Sequence, residues 1–220
     1  MPRSFDPLVP IRHKHQLDRR YQILQRAVRI PGDGTLRLVA RTGWKALPVD
    51  DELPSGNEAR RIATLAHQED CHYLWALSLE KVEPLDAHGE YVDWAHSFDV
   101  PATAEGITSF RRVVAPISFA LTPPSISWVL LTMPRDDLAI ILGKSDIIES
   151  ILGVSLIRAY ADFDEQAHNE QASGRKAAAR QMYAISEDLR DGFPNLPPGT
   201  ELSINRAWAG WNPLSVQNGH

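Results

Sequence analysis

At 220 residues and 24.6 kDa the chain is long enough for one well-buried core or two small ones. Its 43% hydrophobic and 23% charged residues lie near globular averages, which excludes wholesale disorder, collagen and coiled coil. The single cysteine, Cys71, excludes an intramolecular disulfide and any multi-cysteine metal site, and the net charge of −5 is modest.

The charge is unevenly spread. Residues 11–45 carry nine Lys/Arg against Asp18 and Asp33, a net of +7, whereas residues 46–110 carry thirteen Asp/Glu against Arg60, Arg61 and Lys81, a net of −10. A basic start beside an acidic middle reads first as internal complementarity and second as a surface for an anionic partner.

In chain order, the start has no apolar core of signal-peptide type, because Asp6, Pro7 and Pro10 interrupt it. Leu17, Tyr21, Leu24 and Val28 form one apolar stripe and predict a basic helix over 16–30, stopped by Pro31-Gly32-Asp33-Gly34. Residues 35–44 alternate as a strand, 48–56 read as an acidic loop, and 58–68 as a second helix. Residues 72–82 alternate as a strand, with 90–98 as its hairpin partner after a turn at 84–89. Thr103 is placed to cap a short helix over 104–114, with Glu105 in its first turn. The run 116–124 reads as extended or irregular.

The best-defined unit follows. Residues 127–133 and 138–143 are β-rich runs separated by Pro134-Arg135-Asp136-Asp137, a loop of hairpin length. Ser145 offers an N-cap for a helix whose Ile147, Ile148, Ile151 and Leu152 are apolar on a wide face, and Gly153 is its C-terminal stop. Residues 154–160 fit either strand or helix, 162–172 are helix-compatible, and Ala178, Met182, Ile185 and Leu189 predict a helix over 175–190. The expected fold is α+β, a mostly antiparallel sheet with packed helices. A domain over 1–191 is followed by a Pro/Gly-rich C-terminal arm over 192–220 that carries Trp208 and Trp211.

No complete catalytic motif is present. His67, Glu69, Cys71 and His72 form the densest group of potential ligands for zinc, but a five-residue His spacing points the imidazoles about 140° apart on a helix, so a polar helix-to-strand junction is preferred. Asp162, Asp164, Glu165, His168 and Glu170 could hold Mg²⁺ through carboxylate oxygens, against the simpler reading of solvent-facing acids at a helix start. His13 and His15 share one face of an extended chain, and Asp93, His96 and Ser97 lie close in sequence without a nucleophile elbow. The glycines around Asp33 lack the remainder of a phosphate loop.

These features favour a soluble, cytoplasmic, non-catalytic protein that binds a protein partner, in the manner of a bacterial immunity or inhibitor protein. Asp50, Asp51 and Glu52 would meet a basic partner, with Trp208 and Trp211 as further contacts. Two alternatives are a nucleic-acid-binding module using Arg19, Arg26 and Arg29, and a metal-dependent hydrolase built on either ligand group. No cofactor and no membrane partner are expected.

Overall fold

The computed structural model describes residues 8–11, 13–29, 36–49, 54–79, 97–114, 118–133 and 138–204. The strands are β1 (Val9–Pro10), β2 (Val28–Arg29), β3 (Leu36–Val39), β4 (Trp44–Val49), β5 (Tyr73–Ser78), β6 (Ser97–Pro101), β7 (Phe119–Thr122), β8 (Trp128–Met133), β9 (Leu138–Lys144) and β10 (Glu201–Ile204). The α-helices are α1 (Lys14–Leu24), α2 (Gly56–Gln68), α3 (Ala104–Val114), α4 (Ser145–Leu152), α5 (Leu156–Ala172) and α6 (Lys176–Glu187). The fold is α+β, and every strand pair among the described residues is antiparallel.

Seven strands form one sheet in the order β1-β6-β5-β7-β8-β9-β4, and β10-β3-β2 form a second, smaller one. Alternation along the strands divides the core in two. Trp128 and Leu130 of β8 and Ala139 and Ile141 of β9 face one way, onto α2, α3 and α4 through Ile62, Ile107, Phe110, Ile148 and Ile151. Val129, Leu131, Ile140 and Leu142 face the other way, onto α1, the small sheet and α6 through Leu17, Leu24, Leu38, Ile204 and Met182. The helix α5 serves both cores, Ala159 and Tyr160 in the first and Phe163 and Ala167 in the second, because it crosses the β4 edge of the large sheet. That edge is thereby closed to further strands.

The hairpin is as the sequence implies: β8 pairs with β9 from Trp128↔Gly143 to Met133↔Leu138. Thr103 caps α3, its Oγ1 accepting from the Gly106 N–H at 3.0 Å. The strand β6 partners β5, beginning at Ser97; the turn at 84–89 and residues 90–96 lie outside the described residues.

Other expectations are corrected. The first helix ends at Leu24 rather than at residue 30, because Val28 turns into the core and pairs with Leu38, and sheet pairing outweighs a helical stripe that happens to continue. The single strand expected over 35–44 is two strands, β3 and β4, parted by a turn in which Gly43 takes φ +74°. Strand structure runs on through Pro48, read from sequence as loop, since an edge strand tolerates a residue without an N–H. The irregular run 116–124 contains β7, buried at all four positions; with both faces covered, no alternation marks it. Lys144, not Ser145, occupies the N-cap of α4. Residues 156–160 are helix, capped by Ser155, whose hydroxyl accepts from the Arg158 N–H. The helix expected over 175–190 gives way after Glu187 to one π turn, Asp188–Gly192. Beyond it the chain stays on the body: Phe193 and Ile204 are buried and β10 pairs with β3.

At the end of α4, Gly153 takes φ +73°, the left-handed stop. The Arg61 guanidinium of α2 packs against it and donates from Nη1 to the Leu152 carbonyl at 2.6 Å. A β-carbon at Gly153 would fall 2.3 Å from Arg61 Cζ. Gly153→Ala is therefore expected to lower stability by about 1–2 kcal/mol, combining left-handed strain with a displaced cap. Urea denaturation of the variant, with Arg61→Ala in parallel, measures it; an unchanged midpoint would contradict the packing.

Candidate functional site

A cleft of about 350 Å³ opens where α5 crosses the β4 edge, lined by Lys45, Leu156, Ile157, Tyr160, Ala161, Asp164 and Arg190. Its position follows from the local sequence. Ser155 starts α5 and places Leu156, Ile157, Tyr160, Ala161 and Asp164 along one side of that helix, at spacings of three and four. Lys45 comes from β4, whose neighbours Trp44 and Ala46 turn to the opposite core. Arg190 is delivered by the π turn, a local irregularity that re-aims a side chain.

Tyr160 fixes this region. Its hydroxyl lies 2.5 Å from the Ala46 carbonyl and 3.3 Å from that of Leu189, so one donor joins β4, α5 and the π turn. Burial raises the phenol's pKa above the ordinary tyrosine value; Arg190 acts in the opposite sense and Asp191 adds to the rise. The Arg190 guanidinium lies 5.8 Å from the Tyr160 ring centroid and donates to Asp164 Oδ2 at 3.0 Å, and Asp164 Oδ1 accepts from the Ser186 hydroxyl at 2.7 Å. The bond to Asp164 is also the main reason that the Arg190 pKa is raised. Lys45 has no acceptor or ion-pair partner among the described residues. At the mouth Ile157 is 85% exposed, and Val154 just before α5 is 41% exposed.

The ligand group at the end of α2 does not converge. Among the described residues no three His, Cys, Asp or Glu side chains come together as a metal site. His67 lies in the last turn of α2. Glu69 accepts from the Ser127 hydroxyl at 2.6 Å and the Ser125 hydroxyl at 2.8 Å, which clamps the turn before β8. The Cys71 thiol donates to the Tyr73 carbonyl at 2.9 Å, which holds it in the protonated form; burial raises its pKa and the nearby Glu69 acts in the same sense, so the thiolate is disfavoured. His72 is exposed in the link to β5.

The second acidic group is likewise divided among separate cations: Asp162 pairs with Arg158 at 2.6 Å, Asp164 with Arg190, and Glu170 with Arg175 at 2.5 Å. Only Asp164 belongs to the cleft. Glu165 and His168 lie on the same helix outside it. His13 and His15 stand 5.7 Å apart, ring to ring. Ser97 is buried in β6, and Asp93 and His96 lie outside the described residues.

The three arginines chosen from the expected helix separate. Arg19 is on α1, Arg26 follows that helix, and Arg29 is on β2, where it and Arg37 both bond Glu201. Arg41 lies 4.0 Å above the Trp44 ring and donates to the Ile126 carbonyl at 2.7 Å; burial, then the nearby Arg26, lowers its pKa. The basic and acidic segments meet at Arg20, which holds Asp99 of β6 through two bonds of 2.6 and 3.2 Å and covers Trp75. Asp50, Asp51, Glu52, Trp208 and Trp211 lie outside the described residues. Sequence reasoning missed Lys45, Ile157, Tyr160 and Arg190; the mixed signal over 154–160 was the one local trace of Ile157 and Tyr160, and Lys45 and Arg190 left none.

No described helix is long and apolar enough to cross a membrane. Compared with models of protein families, with curated proteins and with solved structures, the chain matches none.

Proposed function

We propose that this is a non-catalytic binding protein that engages a protein partner through the α4–α5 corner. The observation that supports it is Ile157, 85% exposed on a helix that is anchored on both cores. Burying such a side chain is worth about 1.5–3 kcal/mol, which a partner would recover. Val154 and the cleft extend the apolar centre, while Lys45, Asp164 and Arg190 stand around it as a charged rim, the usual layout of a protein interface. In this reading Asp50, Asp51 and Glu52 steer a basic region of the partner, and Trp208 and Trp211 add a second contact. An immunity or inhibitor protein of the cytoplasm is the narrower form, in which the partner is an enzyme that loses activity on binding.

The test begins with capture of the partner from the native host, followed by reconstitution from purified components. Ile157→Asp should weaken the purified complex by about tenfold or more, the range of an interface anchor. Its thermal stability should match the wild type, since the side chain is almost wholly exposed. Equal affinity of the two proteins would reject this face.

A further inference from the structure

We propose that the α5–β4 cleft binds a small organic monoanion, a carboxylate on an aromatic or branched aliphatic body. Three features bear on the charge. Lys45 is half-buried at the edge of the cleft and has no carboxylate partner among the described residues, so its charge is left for a ligand. Arg190 enters from the π turn, held by Asp164 through Nη1 and by Asp191 through Nε, while its Nη2 has no acceptor among the described residues. The cleft also runs along the N-terminal half of α5, a 17-residue helix whose dipole adds partial positive charge, part of it met by Glu149, which accepts from the Leu156 N–H at 2.9 Å. Asp164 is the one acid in the lining, and its two oxygens are taken by Ser186 and Arg190. Over the lining residues alone, with Asp191 outside them, Arg190 is balanced by Asp164 and the charge of Lys45 remains, which favours one negative charge.

The walls define the rest of the ligand. Leu156, Ile157, Ala161 and the face of Tyr160 present an apolar surface, and about 350 Å³ is near the lower limit of small-molecule pockets. A bare inorganic anion would leave that surface wet, and a neutral hydrocarbon would leave Lys45 uncompensated. A carboxylate on a ring or branched chain answers both. The Tyr160–Ala46–Leu189 bonds hold the floor in place before any ligand arrives, which reduces the entropic cost of binding. The inference does not depend on a protein partner, although Ile157 belongs to both surfaces.

The experiment titrates the intact protein with phenylacetate, 3-methylbutanoate, the neutral phenylacetamide and inorganic phosphate, followed by backbone amide NMR and calorimetry. Saturable one-to-one binding of a carboxylate is expected, with shifts centred on residues 45, 156–161 and 190. Phenylacetamide and phosphate should each bind at least about tenfold more weakly, as the loss of one charge-assisted bond or of the apolar contact implies. Lys45→Met should weaken phenylacetate by a similar factor, while Lys45→Arg retains binding. A tripeptide ending in phenylalanine separates two sources of the same chemistry: tighter binding than phenylacetate assigns a chain terminus, weaker binding a free acid. The proposal is overturned by absence of saturable binding, by equal binding of phenylacetamide or phosphate, or by indifference to Lys45→Met.

Discussion

Leu130→Ala is expected to lower the free energy of unfolding by about 2–5 kcal/mol, and Ile151→Ala by a comparable amount. Leu130 is fully buried in β8, between Leu121 of β7 and Ile141 of β9, and belongs to the same core as Ile148 and Ile151 of α4. Both faces of the sheet are covered, so neither solvent nor a loop can fill the space, and the variant keeps a cavity in addition to losing transfer energy. Two-state urea denaturation measures the difference, with Ile157→Ala as an exposed control that should stay within about 0.5 kcal/mol of wild type. A Leu130→Ala change below 1 kcal/mol would mean that β8 is not central.

Tyr160→Phe should cost about 1–3 kcal/mol at neutral pH, because it keeps the ring but leaves buried carbonyls of Ala46 and Leu189 without their donor. The same residue predicts a pH dependence. Its folded pKa lies above the ordinary value, chiefly through burial, so the neutral phenol is the form that the fold prefers. That contribution is complete below the unfolded tyrosine pKa of about 10 and is lost as pH rises through the folded value, with a slope of at most about 1.4 kcal/mol per pH unit. Wild-type stability should therefore fall more steeply than that of Tyr160→Phe above roughly pH 10. Parallel curves for the two proteins would show that Tyr160 does not titrate differently on folding.

Local signals served this sequence well and distant pairing defeated them. The hairpin over 127–143, the Thr103 cap and the Gly153 stop are short-range chemistry, and each stands in the structure as read. Val28 continued a helical stripe by coincidence of spacing, and only its partner Leu38 shows it to be strand. The strands β4 and β7 were hidden for opposite reasons: β4 contains a proline that an edge position permits, and β7 is apolar on both faces. The cleft was still less legible. Asp164 stood out in an acidic run, but Lys45 and Arg190 reach it from segments far apart in sequence, and neither carries a motif. The acidic loop and the tryptophans were chosen on composition, which says nothing of position.

The place of β4 in the sheet has a consequence for how the protein is made. Its ladder partner β9 is encoded about 90 to 100 residues downstream, from Val49↔Ala139 to Trp44↔Lys144. At roughly 5–20 residues per second, a ribosome leaves β4 without its ladder for about 5–20 s after β4 has been synthesised. Trp44, Ala46 and Leu47, all buried in the finished fold, spend that interval without their sheet. The small sheet waits longer, since β3 pairs with β10 only once residues 201–204 have been made. The N-terminal third is thus an early product and a late participant in the sheets.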